Sequence, residues 1–425
     1  MAIKYSGDKM TVIPLLKDKS IVVGVTGGIA AYKAAALTSR LVQAGARVDV
    51  IMTEAAARFV APLTFQALTH RPVVTEMFAL LAETDIGHVS LGKRADLMVI
   101  APATANTLAK LAHGFADNML TTTSLACRGP ILLAPAMETG MWQNSATRAN
   151  MALLRDRGFY FIGPEKGRLA SSDTGTGRMA EPNDIFEACR WSLARKGPLA
   201  GKHVLVTAGC TWEPFDPVRF IGNRSSGKMG FALAAAGRDQ GAEVTRIHGP
   251  TARTAGDGVR CQAIQTARQM HDAVLDIIST TDVLLMAAAV GDYRPASFAG
   301  QKIKKGQDSR SVELAPNPDI LKAVAKQNKP GSQLQVVVGF AAETEDLLEN
   351  ARKKLDQKKL DLIVANDVSA PDSGFKVDTN RVNILDPQSE PVTLPLLSKD
   401  EVAANIIQRV IVKLEEKAGD QPGKD

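Results

Sequence analysis

The chain of 425 residues is long enough for two or three domains, each with its own core. Its 45% apolar and 23% charged residues are those of a folded globular protein, and no apolar run approaches the roughly 18 residues of a membrane-spanning helix. The 51 Lys and Arg against 45 Asp and Glu give a net charge of +6. With only 5% aromatics and no basic run interleaved with them, this argues against a nucleic-acid groove and for small phosphorylated anions as ligands.

Residues 1–20 mix Lys4, Asp8, Lys9, Lys17, Asp18 and Lys19 without a continuous apolar core, so no secretory signal is expected and the cytoplasm is the expected compartment. Cys127, Cys189, Cys210 and Cys261 are too widely spaced for a C-x-x-C pair. The six histidines form no H-E-x-x-H, so neither a zinc site nor a disulfide framework is expected.

Short apolar strands alternate with helical stretches: a strand at 21–26, a helix at 30–44, then strands at 47–52, 95–101 and 131–135. Such alternation predicts a parallel sheet covered by helices on both faces. The pattern restarts with a strand at 203–208 and continues at 243–248, 282–290, 335–341, 360–365 and 381–385. Gly197, Pro198 and Gly201 punctuate the join. The expected organisation is an extension at 1–18, a first α/β domain at 19–192, a linker at 193–201, a second α/β domain at 202–414 and a flexible tail at 415–425. Both domains are expected to be doubly wound three-layer structures.

In the first half, Thr26-Gly27-Gly28-Ile29-Ala30-Ala31-Tyr32-Lys33 turns a strand into a helix, where backbone N–H groups can bind phosphate. The spacing is not G-x-G-x-x-G, and a plain tight turn remains an equal reading of these glycines. Glu54, just after the second strand, leaves a ribose contact open. Ala101-Pro102-Ala103-Thr104-Ala105-Asn106-Thr107 and Gly114-Phe115-Ala116-Asp117-Asn118 follow another strand end, the usual ligand crevice of an open sheet. Together with Ala134-Pro135-Ala136-Met137-Glu138-Thr139-Gly140-Met141-Trp142, these segments resemble the homo-oligomeric flavin-containing cysteine decarboxylases over about residues 18–190.

That resemblance implies a flavodoxin-like fold and FMN near Gly27, Gly28, Ile29, Thr53, Ala103, Thr104 and Asn106, with Met137 and Met141 at the substrate. It also implies a trimer-based assembly and a catalytic His88, from Asp85-Ile86-Gly87-His88. In such enzymes the flavin oxidises the cysteine part of the substrate to a thioaldehyde, which then loses CO2. Two positions depart from the family pattern. Glu138 stands for an asparagine that orients the carboxylate, and Leu169-Ala170-Ser171-Ser172 stands for a flap whose cysteine donates a proton. An anionic Glu138 would repel a substrate carboxylate unless protonated or paired with a cation. Ser171 is a far weaker acid than a thiol of pKa about 8.5.

In the second half, Asp216-Pro217-Val218-Arg219-Phe220-Ile221-Gly222-Asn223-Arg224-Ser225-Ser226-Gly227-Lys228 gathers cations, hydroxyls and glycine before a helix at 228–238, a long phosphate-recognition loop. Ala288-Ala289-Val290-Gly291-Asp292 ends a strand, and Lys302-Ile303-Lys304-Lys305 follows; if extended, it puts Lys302 and Lys304 on one face. Asn317-Pro318-Asp319-Ile320-Leu321 opens a helix with Pro in its first turn, and Lys354 and Lys358 share a helix face.

This series resembles the phosphopantothenate-cysteine ligases over about residues 200–410, so the whole chain is similar to the bifunctional bacterial enzymes of coenzyme A synthesis. The resemblance implies a Rossmann-like, dimeric ligase domain. It joins 4'-phosphopantothenate to cysteine at the expense of CTP with Mg2+ on the phosphates, and decarboxylation in the first domain yields 4'-phosphopantetheine. Asn223 would hold the activated acyl group and Lys302 would act in catalysis. Ligand contacts would come from Arg219, Ser225, Ser226, Lys228, Ala288, Asp292, Pro318, Asp319, Ile320, Leu321, Phe340, Lys354 and Lys358. The alternatives are a ligase whose first half is only a flavin-binding oligomerisation scaffold and a regulatory flavin module. Substrate-dependent release of CO2 separates the enzyme from both.

Overall fold

The computed structural model describes residues 3–4, 11–12, 15–77, 87–251, 258–304, 311–329, 331–343, 346–367 and 377–419. Asp85, Ile86, Lys305 and the tail from 420 lie outside them. The chain divides into two compact units, Ile13–Arg195 and Lys196–Asp425, the second also taking in Ala2–Val12.

The first unit is a six-stranded parallel sheet of β1 (Ser20–Val25), β2 (Arg47–Met52), β3 (Val73–Val74), β4 (Leu97–Ala103), β5 (Ile131–Pro135) and β6 (Tyr160–Phe161), in spatial order 3-2-1-4-5-6. Helices of eight residues or more are α1 (Ala31–Gln43), α2 (Pro62–Thr69), α3 (Gly87–Arg94), α4 (Ala105–His113), α5 (Met119–Ala126), α6 (Ser145–Asp156) and α7 (Pro182–Ala194). The period of two along each strand assigns its side chains to opposite faces. Ile21, Val23 and Val25 meet Leu37 and Leu41 of α1 and Ile185 of α7. Val22, Met98 and Ile100 meet Leu108 of α4, Leu120 of α5 and Met151 of α6 on the other face.

The second unit repeats this plan with β7 (His203–Ala208), β8 (Glu243–His248), β9 (Val259–Ala263), β10 (Val283–Met286), β11 (Val336–Glu343) and β12 (Leu362–Asp367), again ordered as 3-2-1-4-5-6. Two antiparallel strands, β13 (Val382–Leu385) and β14 (Val392–Thr393), extend it to eight. One face is covered by α8 (Lys228–Arg238) and a later helix, α12 (Lys399–Gly419), and the other by α9 (Ala267–Ile277), α10 (Ile320–Gln327) and α11 (Leu347–Lys358). Both units are Rossmann-like.

The expected boundaries shift where packing overrides punctuation. Leu16 is already buried in the first core, inside the expected 1–18 extension. Helix α7 takes residues 193–194, and Leu199 is core of the second unit, so residues 195–198 are what joins the cores. Helix α12 runs through Gly419, where Lys417 reaches the Gln335 carbonyl and Asp361, so residues 415–419 are helical and not a loose tail. Pro318 precedes the cap of α10, which is Asp319, and does not sit in its first turn.

Candidate active sites

The first site opens at the carboxyl ends of β1 and β4, where the strand order reverses and open α/β sheets bind ligands. Its cavity of about 980 Å³ is at the upper end for small-molecule sites. Helix α1 starts after Ala30 with no side-chain cap; its Ala31 and Lys33 N–H groups donate to the Gly28 and Ala30 carbonyls (2.9 and 3.0 Å), and the turn Thr26–Ala30 before it lines the cavity. Thr26 Oγ1 donates to the Pro102 carbonyl (2.7 Å) and accepts the Thr104 N–H (3.3 Å), tying this turn to the end of β4. Thr53 and Thr104 accept the N–H groups of Ala56 and Thr107 as helix caps, which fixes both hydroxyls at the cavity wall.

Gly27, Gly28, Ile29, Thr53, Thr104, Asn106, Met137, Glu138, Met141 and Ser171 all line this cavity. Ala103 does not: it is the last residue of β4, and its side chain is buried in the core beneath. His88, half-buried on α3, is also not among the lining residues.

Ser171 sits at the tip of a hairpin formed by Glu165–Arg168 and Thr174–Arg178. The hairpin is docked on the strand-end loop after β5, where the Met137 N–H donates to the Gly177 carbonyl (2.9 Å). A Cβ on Gly177 would come within 2.1 Å of the Met137 oxygen. Glu138 caps the short helix Thr139–Gln143, its Oε2 accepting from Gly140 (2.6 Å) and Met141 (3.4 Å). Backbone N–H groups, and no cation among the described residues, therefore face this carboxylate. Asparagine makes the same kind of cap, so the exchange leaves the local fold intact.

Cations also line the cavity without belonging to any expected set: Lys33, Lys110, Arg168 and Arg178. Lys33, 6% exposed, donates to the Met179 carbonyl and to Glu181 Oε1, both at 3.0 Å. Its place in the first turn of α1 was the one available signal. Lys110 pairs with Asp117, and its hydrogen bond holds that carboxyl below the usual range.

The second site is a cavity of about 710 Å³ at the carboxyl ends of β10, β11 and β12. It is approached from a small hairpin, Trp212–Pro214 and Phe220–Gly222, clasped by Trp212 stacked on Phe220 (centroids 4.1 Å apart). Beyond the hairpin, Asn223 Nδ2 donates to the carbonyls of Ala289 (3.2 Å) and Val290 (3.3 Å), joining the loop to the end of β10. Gly227, at φ 78°, then turns the chain into α8. Asn317 Nδ2 donates to the Gly291 carbonyl (2.8 Å), while Asp319 caps α10 and pairs with Lys358. Lys354 Nζ donates to the Phe340 carbonyl (3.1 Å).

Asn223, Ser225, Ser226, Lys228, Ala288, Asp292, Pro318, Asp319, Ile320, Leu321, Phe340, Lys354 and Lys358 line this cavity; Arg219 and Lys302 do not. Arg219 turns to the buried Asp216 instead, and Lys302 is exposed on the neighbouring strap. Asn366, Asn380 and Lys399 line the cavity with no motif to mark them. Lys399, only 7% exposed, begins α12 and donates to the Val377 carbonyl (2.7 Å).

Glu181 and Asp216 are each held below the usual carboxylate range, chiefly by the hydrogen bonds from Lys33 and from Arg219. A depressed carboxyl contributes stability above its unfolded pKa and loses it as pH falls through the depressed value. Neither group should therefore place a limb on a rate profile between about pH 5 and 8. Losses traceable to either are expected only below about pH 4, as initial rates of both partial reactions across pH 3.5–8 will show.

The family model described as Flavoprotein matches residues 14–193, and the one described as DNA/pantothenate metabolism flavoprotein C-terminal domain matches residues 199–414. The coenzyme A biosynthesis bifunctional protein CoaBC of Bacillus subtilis (strain 168) is 45% identical over 399 residues, covering 93% of this chain and 97% of its own. The chain belongs to the CoaBC family. The CoaBC protein of Mycobacterium tuberculosis (strain ATCC 25618 / H37Rv) is likewise 45% identical, over 408 residues, with 93% and 97% covered. Among solved structures, the C-terminal domain of a CoaBC protein matches at 37% identity and TM-score 0.44, covering 52% of this chain and all of that one. A PPC decarboxylase mutant complexed with pantothenoylaminoethenethiol matches at 32% identity and TM-score 0.38, covering 41% and 97%. This CoaBC chain is thus a bifunctional enzyme of coenzyme A biosynthesis, with a flavoprotein decarboxylase unit followed by a ligase unit.

Proposed function

We propose that the ligase unit condenses 4'-phosphopantothenate with cysteine through an acyl-cytidylate, using CTP and Mg2+, and that the decarboxylase unit holds FMN and converts the product to 4'-phosphopantetheine. The observation that carries the ligase half is the convergence of Asn223, the Ser225–Ser226–Gly227 turn at the start of α8, and Lys354 and Lys358 on one cavity. A carboxylate is a poor electrophile until nucleotidyl transfer gives it a leaving group, and fixed cations stabilise the charge that develops on departing pyrophosphate. In this reading Mg2+ is carried mainly by the nucleotide phosphates, as that ion usually is.

In the first unit, the glycine turn Thr26–Ala30 and the wall of Thr53, Thr104 and Asn106 fit the phosphate and polar edge of a flavin mononucleotide. Bound flavin supplies the oxidation that makes loss of CO2 feasible. The chain's own contribution is to place the substrate beneath the Ser171 hairpin and beside Met137 and Met141. The catalytic role of His88 rests on the family resemblance, since it is not among the residues lining this cavity, and a trimer-based assembly of this unit with a dimeric ligase unit belongs to the same reading. No helix among the described residues is long and apolar enough to cross a membrane, and the cytoplasm suits these substrates. The test is an assay of the purified full chain with phosphopantothenate, cysteine, Mg2+ and either CTP or ATP, following pyrophosphate and CO2 separately. Pyrophosphate release with CTP well above that with ATP, abolished by EDTA, and CO2 that follows amide formation are expected. Equal rates with both nucleotides would remove the CTP assignment.

A further inference from the structure

Between the two strands of the Trp212–Phe220 hairpin, the turn 215–219 is closed by the Phe215 N–H donating to the Arg219 carbonyl (3.2 Å). Asp216 at its centre is 1% exposed. A buried carboxylate without partners is strongly unfavourable, so its hydrogen bonds report what it is for. Oδ1 accepts the N–H groups of Val218 and Arg219, both at 2.8 Å, and Oδ2 accepts Arg219 Nε (2.9 Å) and Nη2 (2.5 Å). One contact leaves the turn: Oδ2 also accepts the N–H of Ile303 (3.3 Å), 87 residues on.

Arg219 grips the same residue from its other side, Nη2 donating to the Ile303 carbonyl (3.0 Å). Both backbone polar groups of Ile303 are therefore held by one ion pair. Upstream, the Ala299 N–H donates to the Phe215 carbonyl (2.9 Å). The strap 299–303 is thus tied three times to a single turn, and Lys302 lies between the ties. The same turn leads directly through Phe220–Gly222 to Asn223.

We propose that Asp216 is a positioning residue of the ligase reaction: with Arg219 it clamps the Ile303 peptide, and so holds the Lys302 strap in register with the Asn223 loop. Arg219 accordingly serves by holding backbone, which accounts for its absence from the cavity wall. The inference rests on the catalytic role that the ligase resemblance implies for Lys302. The clamp fixes where the lysine stem starts, and the charge acts only from there.

The test uses the full chain with Asp216→Asn, Asp216→Glu, Lys302→Gln and the double variant Asp216→Asn/Lys302→Gln. Two quantities are read: pyrophosphate release with kcat and KM for CTP, and the rate of trypsin cleavage after Lys302, mapped by mass spectrometry. Decarboxylation of added phosphopantothenoylcysteine checks the first unit in every sample. Asp216→Asn is expected to lower kcat about tenfold and to speed cleavage after Lys302 by a similar factor, with Asp216→Glu in between. The double variant should be no slower than Lys302→Gln, because the clamp acts through that lysine. Losses that multiply in the double variant, or cleavage unchanged in Asp216→Asn while Lys302→Gln is impaired, would overturn the clamp. A wild-type rate in Lys302→Gln would instead overturn the role of Lys302 itself, and the functional half of the proposal with it.

Discussion

Asn223→Asp is expected to release pyrophosphate from CTP and phosphopantothenate while amide formation with cysteine falls by about two to three orders of magnitude. In the native chain the Asn223 amide donates to two carbonyls, those of Ala289 and Val290, at the end of β10. Aspartate has no N–H to give, and its charge would face two carbonyl oxygens. The loop would then pull away from β10, and the side chain could no longer hold the acyl-nucleotide for attack. On the proposed reading, activation draws on Lys302 and on the cations along α11 and at the start of α8, which the substitution leaves in place. The check is single-turnover pyrophosphate release measured beside amide product in the same tube. Equal loss in both would place Asn223 in activation, and no loss in either would remove it from the site.

Gly177→Val should cut decarboxylation at least about a hundredfold with ligation near the native rate, since the two activities sit in separate units. The cause is steric. Any Cβ at this position lies 2.1 Å from the Met137 oxygen, so the hairpin must lift away, taking Ser171 off the cavity and breaking the Met137–Gly177 hydrogen bond. Glu138, the next residue, would lose its place with it. Flavin absorbance of the purified variant, recorded with CO2 release, separates loss of the covering hairpin from loss of the cofactor. A variant that decarboxylates normally would show that the hairpin does not act in the reaction.

Much of this architecture was legible in sequence because the strands are apolar, buried on both sides and separated by turn residues. The expected strands at 203–208 and 243–248 coincide with β7 and β8. The expected end of β4 fell short because Pro102 reads as a strand terminator, whereas the strand continues to Ala103 with an irregular register toward β5. Strand β10 stops at Met286, not 290, because the next residues turn to carry the carbonyls that Asn223 engages.

The sites were legible where a motif ends a strand, as at Thr104 or Asn223. Asn380 and Lys399 were not, because nothing in a local pattern says which of many polar side chains folds inward. Arg219 misled for the converse reason. Charge near a phosphate-binding motif suggests a ligand contact, and only the folded turn shows that Asp216 already occupies its guanidinium.

Helix α12 also bears on how this chain is made. Its buried stripe of Val402, Ile406, Ile407, Val410, Ile411 and Leu414 completes the core that β7 and α8 begin some 200 and 170 residues earlier, and its first residue, Lys399, is part of the ligase cavity. During synthesis the decarboxylase unit has every strand of its sheet once residue 161 is out of the ribosome and its last helix by residue 194, so it can fold while the rest is still being translated. The ligase unit must keep one sheet face only partly covered, by α8, until α12 arrives. Its exposure to aggregation and to chaperones therefore lasts through nearly all of its own translation, and a ribosome stalled before residue 399 carries a decarboxylase that is finished beside a ligase that cannot close.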